Sequence, residues 1–346
     1  AGLVAHGADA VRINCAHDGP YEWARMVGNV RAAEARLGWR VPILMDIAGP
    51  KVRTGYVLTP PDRTRVFVGD LVLLGREVTP ALPETPFQMT CTAPEALDRL
   101  AVGNQVSIDD GKVQGRITGT VDGGFLVRIE HARLGGVKLK SEKGLNFPDA
   151  DLGLDPLTDK DREDLGFIVE HADFVGYSFV RTGAQVAMLQ AELAARTPNW
   201  RRLGLVGKIE TPAAVRNLPE ILVQAAGEQP FAVMIARGDL AVEMGFERVA
   251  EMQEEMLWLC EAAHVPVIWA TQVLEDLIRQ GLPSRGEMTD AAMAARAECV
   301  LLNKGPNVDA AVGVLDRLLR RMAAHQFKKT PTLRALASWQ ERPPAP

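Results

Sequence analysis

The sequence predicts an α/β protein whose main part is a (β/α)8 TIM barrel and whose second part is a small inserted β-barrel-like domain. Short apolar runs alternate with helical patterns along most of the chain, as in parallel sheets built from βα units. One stretch, residues 56–147, breaks this alternation. Without it the chain keeps roughly 250 residues, which is the usual size of such a barrel.

Seven apolar runs predict the barrel strands. They are rich in Val, Ile and Leu and show little alternation, which indicates strands covered on both faces. They span residues 9–14, 41–46, 172–178, 204–209, 231–236, 265–270 and 298–303. A closed barrel of this kind needs eight strands. Because residues 1–7 resemble the end of a helix, we expect the first strand to be missing from this chain and to precede Ala1.

Helical patterns separate these runs. They span residues 20–37, 159–170, 183–196, 212–226, 247–263, 287–297 and 308–325. Thr158 followed by Asp161 resembles a capping box, and Thr211 followed by Pro212 offers an N-cap with proline at the first helical position. These signals predict where two of the helices begin.

The inserted stretch is rich in Val, Thr, Gly and Pro and has short alternating runs. Asp122-Gly123-Gly124 predicts a hairpin turn inside it. The predicted organisation is therefore a discontinuous barrel domain over 1–55 and 148–330, an inserted β lid domain over 56–147, and a C-terminal tail over 331–346.

Composition narrows the function classes. The net charge of −5 gives no basic surface for nucleic acid. No apolar run reaches the roughly 20 residues that a membrane-spanning helix needs, and the start of the chain lacks a signal peptide pattern. The four cysteines have no metal-ligand spacing, which favours reduced thiols. We expect a cytoplasmic protein that binds neither nucleic acid nor membrane.

Polar residues follow the predicted strands, at the barrel end where such folds place their chemistry. Seven strands agree in this respect, which favours a site over scattered structural ion pairs. The residues are Arg12, Asn14, Asp46, Ser178, Lys208, Glu210, Arg237, Asp239, Thr271, Gln272, Asn303 and Lys304.

The residue types indicate chemistry on a phosphoryl group. Glu210 and Asp239, on neighbouring strands, can hold a hard divalent cation such as Mg²⁺. Lys208 precedes Glu210 by two residues, so in extended backbone it points to the same side. A cation beside a metal suits a transferring phosphoryl group. Gly238 lets a ligand approach the backbone, and Thr271 can position a water or relay a proton.

At these residues the chain resembles the pyruvate kinase family over nearly its whole length. Each matching segment alone is weak, but their order and the insertion point agree. The segments are residues 12–17 (RINCAH), 46–55 (DIAGPKVRTG), 109–111 (DDG), 143–148 (KGLNFP), 178–181 (SFVR), 208–210 (KIE), 236–240 (ARGDL), 270–272 (ATQ) and 283–287 (PSRGE). The resemblance is greatest to short bacterial members that end soon after the barrel.

The resemblance implies phosphoryl transfer between phosphoenolpyruvate and ADP, giving pyruvate and ATP. It implies that Glu210 and Asp239 bind Mg²⁺ or Mn²⁺, and that Lys208 and Arg12 contact the phosphoryl group. The substrate-binding residues would be Ser178, Gly238, Asp239 and Thr271, with Thr271 also catalytic at the face where the enolate is protonated. The nucleotide-binding residues would be Asn14, His17, Arg53 and Lys143. A lid over the barrel mouth would exclude water.

Two departures from the family pattern matter. Many members bind K⁺ through Asn, Ser, Asp and Thr; here Asn14 and Asp46 remain, whereas Ala16 and Ile47 replace the other two ligands. Lys51 stands where K⁺-dependent members have Glu, and its ammonium can supply the missing charge. We therefore interpret Asn14, Asp46 and Lys51 as a replaced K⁺ site and expect no K⁺ requirement.

Near the last strand, Asn303-Lys304 replaces a hydroxyl and a carboxylate on the proton-delivery side, and an amide cannot act as acid or base. The family's C-terminal regulatory domain is not seen, so we expect no allosteric activation through it; a homo-oligomer through the barrel is possible on sequence grounds. Two alternatives stay open: a catalytically weak regulatory protein, and a Mg²⁺-dependent oxo-acid lyase or aldolase on a related barrel.

Overall fold

A computed structural model describes residues 2–78, 86–121, 123–327 and 330–331. Asp122 of the predicted hairpin turn and most of the predicted tail, from residue 332 onwards, lie outside the described residues. None of the described helices has the length and apolar character that would be needed to cross a membrane.

A curled sheet of seven parallel strands, the main sheet, forms the larger part of the fold, and its strands follow one another in chain order. They are β1 Val11–Asn14, β2 Ile43–Asp46, β3 Phe174–Tyr177, β4 Gly204–Ile209, β5 Phe231–Ala236, β6 Val267–Ala270 and β7 Cys299–Val300. All seven lie within the strands predicted from sequence. In the described part of the chain no strand precedes β1, and the short helix Gly2–Ala5 stands there instead.

Helices cover the outside of this sheet. They are α1 Gly2–Ala5, α2 Pro20–Leu37, α3 Asp159–His171, α4 Gly183–Arg196, α5 Pro212–Arg216, α6 Leu218–Ala226, α7 Arg237–Met244, α8 Phe246–Ala262, α9 Glu275–Gln280, α10 Arg285–Met293 and α11 Val308–Met322. Short 3₁₀ helices span Pro94–Arg99, Trp200–Arg202 and Ala294–Arg296. The prediction of one helix over 212–226 was wrong. The helix is interrupted at Asn217, and a second helix begins at Leu218 with Pro219 in its first turn. Sequence reasoning missed α7 and α9.

The caps predicted from sequence are present. The Thr158 hydroxyl accepts from the backbone N–H of Asp161, whose carboxylate accepts from Thr158 in return. The Thr211 hydroxyl accepts from the N–H of Ala214 at the start of α5. These contacts satisfy backbone donors that a helix N-terminus leaves unpaired, and they fix where each βα connection enters its helix.

The main sheet has apolar contacts on both faces. A large core between strands and helices includes Trp23, Tyr177 and Trp269, all without solvent exposure. A smaller, separate cluster consists of Leu44 on β2, Val206 on β4, Met234 on β5 and Ala270 on β6. Burial on both faces explains the continuous apolar runs in the sequence.

A second sheet, nearly closed like a barrel, is formed by the inserted stretch. In spatial order its strands are Leu145–Asn146, Gln105–Ile108, Val113–Val121, Gly124–Ala132, Leu71–Gly75, Phe87–Cys91 and Thr54–Leu58. Arg65–Val66 pairs with Val137–Lys138, and Gln326–Phe327 with Thr330–Pro331, as separate two-stranded sheets. Val121 pairs with Gly124, so the predicted hairpin forms. The second sheet has its own apolar core; the domain boundaries given above stay predictions.

Candidate functional site

The carboxyl ends of the parallel strands bring the predicted site residues to one edge of the main sheet. Asn14 at the end of β1 stands beside Asp46 at the end of β2, and Asp46 stands beside Gly176 of β3. Lys208 lies near the end of β4, which pairs with β5, and Asp239 lies in the first turn of α7, directly after β5. Parallel pairing in register therefore converts positions far apart in sequence into neighbours.

Lys208 is the centre of a buried cluster of charges. Its ammonium lies 3.0 Å from Glu210 Oε1 and 3.6 Å from Asp46 Oδ2, and it donates to Ser178 Oγ at 2.7 Å. Ser178 in turn donates to the carbonyl of Ile47 at 2.7 Å. The three acceptors are buried, so together they hold the ammonium in one position.

Asp46 is shared by two cations. Arg12 Nε donates to Asp46 Oδ2 at 2.7 Å and Arg12 Nη2 lies 2.6 Å from the same oxygen, while Lys208 approaches it from the other strand. The carboxylate is fully buried, and its Oδ1 has no hydrogen-bond partner. A Cβ at Gly176 would collide with that oxygen, so glycine is required there. Asp46 thus holds the phosphoryl-binding cations predicted from sequence beside each other.

Glu210 is enclosed and its titration is perturbed. Burial raises the pKa of Glu210 above its ordinary value, Lys208 opposes the shift, and the negative charge of Asp239 adds to it. Glu210 Oε2 accepts from the backbone N–H of Phe179 at 2.5 Å, and Phe179 has a φ of 58°. A carboxylate with a raised pKa beside a second carboxylate gains most from a cation placed between the two.

Lys51 occupies the Asp239 side of the site. Its ammonium donates to Asp239 Oδ1 at 2.7 Å, and it lies 5.6 Å from the ring centre of Phe179. Burial works against the charge on Lys51, but Asp239, and more weakly Glu210 and Asp110, raise its pKa above the ordinary value. Lys51 is therefore a firmly charged ammonium that pairs with a predicted metal ligand.

Among the described residues, Asn14 and Asp46 of the predicted K⁺ site are neighbours across β1 and β2, but the side chains of Asn14, Asp46 and Lys51 each pair with other groups. Lys51 pairs with Asp239, Asp46 pairs with Arg12 and Lys208, and the Asn14 side chain accepts from the N–H of Ala16 at 3.1 Å. Their interpretation as a replaced K⁺ site stays a prediction.

A strained turn holds Thr271. Thr271, Gln272 and Leu274 all have positive φ, of 67°, 56° and 50°, which is rare for residues other than glycine and costly for a β-branched one. Thr271 Oγ1 accepts from the backbone N–H of Gly238 at 2.7 Å. The two substrate-binding residues predicted at neighbouring strand ends are therefore in direct contact.

Arg237 and Asp290 brace this turn, a role that sequence reasoning missed. Arg237 Nη2 donates to the carbonyl of Thr271 at 2.6 Å and Nε to that of Ala270 at 3.1 Å. The same guanidinium makes a two-point ion pair with Asp290 and lies 4.7 Å from the centre of the Trp269 indole. The signal was present in sequence as a polar residue at a strand end, but nothing local identified Asp290 as its partner.

Three of the predicted nucleotide-binding residues, His17, Arg53 and Lys143, lie at the solvent-accessible rim of the site. His17 is exposed, and its backbone carbonyl accepts from the indole N–H of Trp23 at 3.0 Å. Arg53 donates to the carbonyl of Glu142 at 3.3 Å, and the Lys143 ammonium lies 3.6 Å from Asp109 Oδ1. These cations are partly exposed, so they stay accessible to an anionic ligand.

The second sheet approaches the Lys51 loop and helix α7 at the site itself. A Cβ at Gly144 would lie 3.4 Å from Lys51 Cε and 3.7 Å from Asp110 Oδ1. Asn146 donates to Glu243 Oε1 at 2.8 Å, and burial raises the pKa of Glu243 above its ordinary value. Glu243 follows Asp239 by four residues on α7, so both carboxylates lie on the same face of that helix. Asp110, Asn146 and Glu243 are site neighbours that sequence reasoning did not single out.

The residues present fit a hard divalent cation. Glu210 and Asp239 interact electrostatically, and Lys51 senses both carboxylates. Mg²⁺ commonly takes one or two carboxylates and completes its shell with water and substrate oxygens. Within the described residues no cluster of three or more His, Cys, Asp or Glu forms a self-sufficient metal cage. A two-carboxylate site that relies on substrate oxygens is consistent with both observations.

Asn303 and Lys304 follow the short last strand, and Lys304 is exposed. All four cysteines are free, as the sequence suggested; Cys15, Cys91 and Cys260 are buried and Cys299 is exposed.

Comparison with known proteins agrees with this arrangement. The family model described as pyruvate kinase, barrel domain, matches residues 1–308. A pyruvate kinase of Agrobacterium vitis is 32% identical over 333 residues, which cover 94% of this chain and 65% of that protein. A pyruvate kinase of Geobacillus stearothermophilus is 32% identical, covering 84% of this chain and 48% of its own length. Human pyruvate kinase PKLR is 33% identical, with coverages of 87% and 52%.

The chain spans between about half and two thirds of the length of these relatives. The family match extends from residue 1, ahead of β1, through the second sheet to the start of α11. Together with the strand-end cluster of charges, this match shows that the chain belongs to the pyruvate kinase family.

Proposed function

We propose that this protein catalyses phosphoryl transfer between phosphoenolpyruvate and ADP, giving pyruvate and ATP, with Mg²⁺ or Mn²⁺ as cofactor. The observation that carries the proposal is the cluster in which the Lys208 ammonium lies 3.0 Å from Glu210, with Asp239 on the adjoining strand end. A cation fixed beside a two-carboxylate site is what transfer of a charged phosphoryl group requires.

Glu210 and Asp239 would hold the divalent cation, which would supply positive charge against the developing negative charge of the reacting groups. Lys208 stabilises the phosphoryl group in transit, and Ser178 keeps its ammonium aimed. Arg12 contacts the same group from β1 and is held by Asp46. Because these cations are already oriented by buried partners, little reorganisation accompanies the transfer.

The carboxylate of pyruvate is bound by the backbone at Gly238 and Asp239 together with Thr271. The hydroxyl of Thr271, which accepts from the N–H of Gly238, lies on the face where the enolate is protonated. A threonine hydroxyl has too little acidity to donate a proton alone, so it positions or relays one. The amide at Asn303 can hydrogen-bond a water there but cannot supply the proton.

The nucleotide binds at the rim through Asn14, His17, Arg53 and Lys143. Arg53 and Lys143 adjoin the second sheet, whose contact with α7 through Asn146 and Glu243 supports its role as a lid. A lid that closes over the mouth excludes water, which protects the phosphoryl group from hydrolysis. The oxo-acid lyase alternative needs no nucleotide, and these basic residues beside the site disfavour it.

Lys51 supplies a permanent positive charge in the site, so the enzyme works without K⁺. Its raised pKa keeps the ammonium charged throughout the neutral range. Ala16 and Ile47 lack the side-chain oxygens that a K⁺ ion would need. The altered Asn303-Lys304 segment keeps a weak, regulatory family member as the second candidate function.

A coupled assay of pyruvate formation from phosphoenolpyruvate and ADP tests the proposal, run with and without Mg²⁺ in buffers free of K⁺ and Na⁺. We expect turnover that needs Mg²⁺ and that rises less than about twofold when K⁺ is added, since the permanent charge of Lys51 replaces the ion. Absence of turnover would favour the regulatory candidate. Pyruvate release from oxaloacetate without ADP would favour a lyase, and stimulation by K⁺ of about tenfold or more would refute the role given to Lys51.

A further inference from the structure

The carboxylate of Asp239 forms an ion pair with a cation of the protein itself. Lys51 Nζ lies 2.7 Å from Asp239 Oδ1, and the two side chains are only 24% and 18% exposed. The negative charge of Glu210 also stabilises the charged form of Lys51. An ammonium therefore lies on a carboxylate that the proposed function assigns to the divalent cation.

The segment that carries Lys51 is held in place by buried contacts. The backbone N–H of Gly49 donates to Asp161 Oδ1 at 3.1 Å, and Asp161 is fully buried at the start of α3. Gly49 has a φ of 69°, and a Cβ there would come within 3.1 Å of the Ser178 carbonyl, so no other residue fits easily. Lys51 is thus presented to Asp239 by an anchored backbone, while its long side chain keeps freedom to move.

We propose that Lys51 is a built-in competitor for the divalent cation at Asp239, released when an anionic substrate draws its ammonium away. Two cations on one carboxylate repel each other. The Lys51 ammonium must therefore move away from Asp239, at least in part, before the divalent cation binds well. A phosphate or carboxylate ligand offers the ammonium a new partner. The inference rests on the proposed function for the assignment of Asp239 as a ligand.

The competition couples metal binding to substrate binding. Without substrate, Lys51 lowers the affinity for the metal; with phosphoenolpyruvate bound, the ammonium pairs with the ligand and the full carboxylate becomes available. By linkage, the metal must then raise the affinity for the substrate by the same factor. The charged site is therefore most stable when both components are present.

Binding of Mn²⁺ to the metal-free protein tests this directly, followed through the electron paramagnetic resonance signal of free Mn²⁺. We expect Lys51→Met to bind Mn²⁺ on the order of tenfold more tightly than the wild type, because a partly enclosed like charge is removed. Lys51→Arg keeps the charge and should stay within about twofold of the wild type. Lys112→Met, which removes an exposed ammonium paired with Asp109 on the second sheet, controls for net charge and should also stay within about twofold.

The titrations are repeated with phosphoenolpyruvate, which should tighten Mn²⁺ binding more in the wild type than in Lys51→Met. Equal affinities in the two proteins, or equal tightening, would overturn the competitor role. Asp239→Asn separates the two proposals. If Asp239→Asn loses Mn²⁺ binding, the assignment of Asp239 as a metal ligand stands, whatever the Lys51 variants show. If Asp239→Asn still binds Mn²⁺ normally, Asp239 is not a ligand, and both the proposed metal site and the competitor role of Lys51 are refuted. If Lys51→Met unfolds, Lys51→Gln gives the same comparison.

Discussion

The two sides of the site differ in how tightly their charges are held. On the β2–β4 side, the carboxylates of Asp46 and Glu210 and the ammonium of Lys208 are nearly inaccessible to solvent, and Lys208 pairs with both carboxylates. On the β5–β6 side, Asp239 is partly open and pairs with Lys51 on a separate loop. The first side is a fixed array, and the second is an exchangeable pair.

This difference matches the tasks proposed for each side. A group that stabilises charge in a transition state must not move when the charge develops, which favours buried and mutually satisfied partners. A carboxylate that receives a metal and a substrate must release whatever held it before, which favours a long side chain and partial exposure. Burial therefore separates the residues proposed to stabilise transfer from those proposed to admit ligands.

The largest expected effect comes from the fixed side. Lys208→Met should lower kcat by about 10³-fold or more, because the phosphoryl group loses its fixed cation while Glu210 loses its closest neutralising partner. Arg201→Met is the charge control, since that guanidinium pairs with Glu228 at the opposite, amino ends of the strands. Steady-state kinetics should show the loss in Lys208→Met alone, with circular dichroism confirming that both variants fold. Near-normal turnover in Lys208→Met would remove this residue from the mechanism.

A smaller loss of kcat is expected when the turn that holds Thr271 is no longer braced by Arg237. Arg237→Met removes the donors that hold the carbonyls of Ala270 and Thr271, so the strained turn relaxes and kcat should fall about 10- to 100-fold. Arg296→Met is the control, since Arg296 is equally enclosed, at 12% exposure against 11%, and makes a two-point ion pair with Glu254.

Both arginine variants should lose thermal stability, but only Arg237→Met should lose kcat. If the two fall equally in activity, Arg237 acts through stability alone and does not position Thr271. Partial recovery of kcat in Arg237→Lys would support the positioning role, because one donor to the turn is restored.

The smallest effect, a change in thermal stability, is expected at the contact between the second sheet and α7. Because burial raises the pKa of Glu243, its folded form binds a proton more tightly than the unfolded chain. The stability that this proton binding contributes is full below the ordinary carboxyl pKa of 4.5 and is lost as pH rises through the raised pKa. Glu243→Gln, which keeps an acceptor for Asn146, should remove this loss and raise Tm by about 1–3 °C at pH 8.

Thermal melts between pH 4.5 and 8 measure this effect, with the exposed Glu247→Gln on α8 as the control. A lower Tm for Glu243→Gln at pH 8 would mean that the carboxylate is stabilised in the folded protein, contrary to the shift described.

The sequence by itself determined the seven strands, most helices and the set of polar strand ends. Apolar runs without alternation specify strands buried on both faces, and a strand that ends in Lys208-Ile-Glu210 must present both polar side chains at the same edge. Local caps at Thr158 and Thr211 were readable because their partners lie within three residues.

Only the tertiary structure decided which charges meet. The pairing of Lys51 with Asp239 joins residues 188 positions apart, and that of Arg237 with Asp290 joins residues 53 apart. Periodicity reports which side of an element a residue faces, but not which distant side chain shares its space, because long side chains choose among several nearby partners. For that reason the sequence predicts Lys51 at a replaced K⁺ site, and only folding shows that its ammonium also pairs with Asp239, the carboxylate proposed to receive the metal.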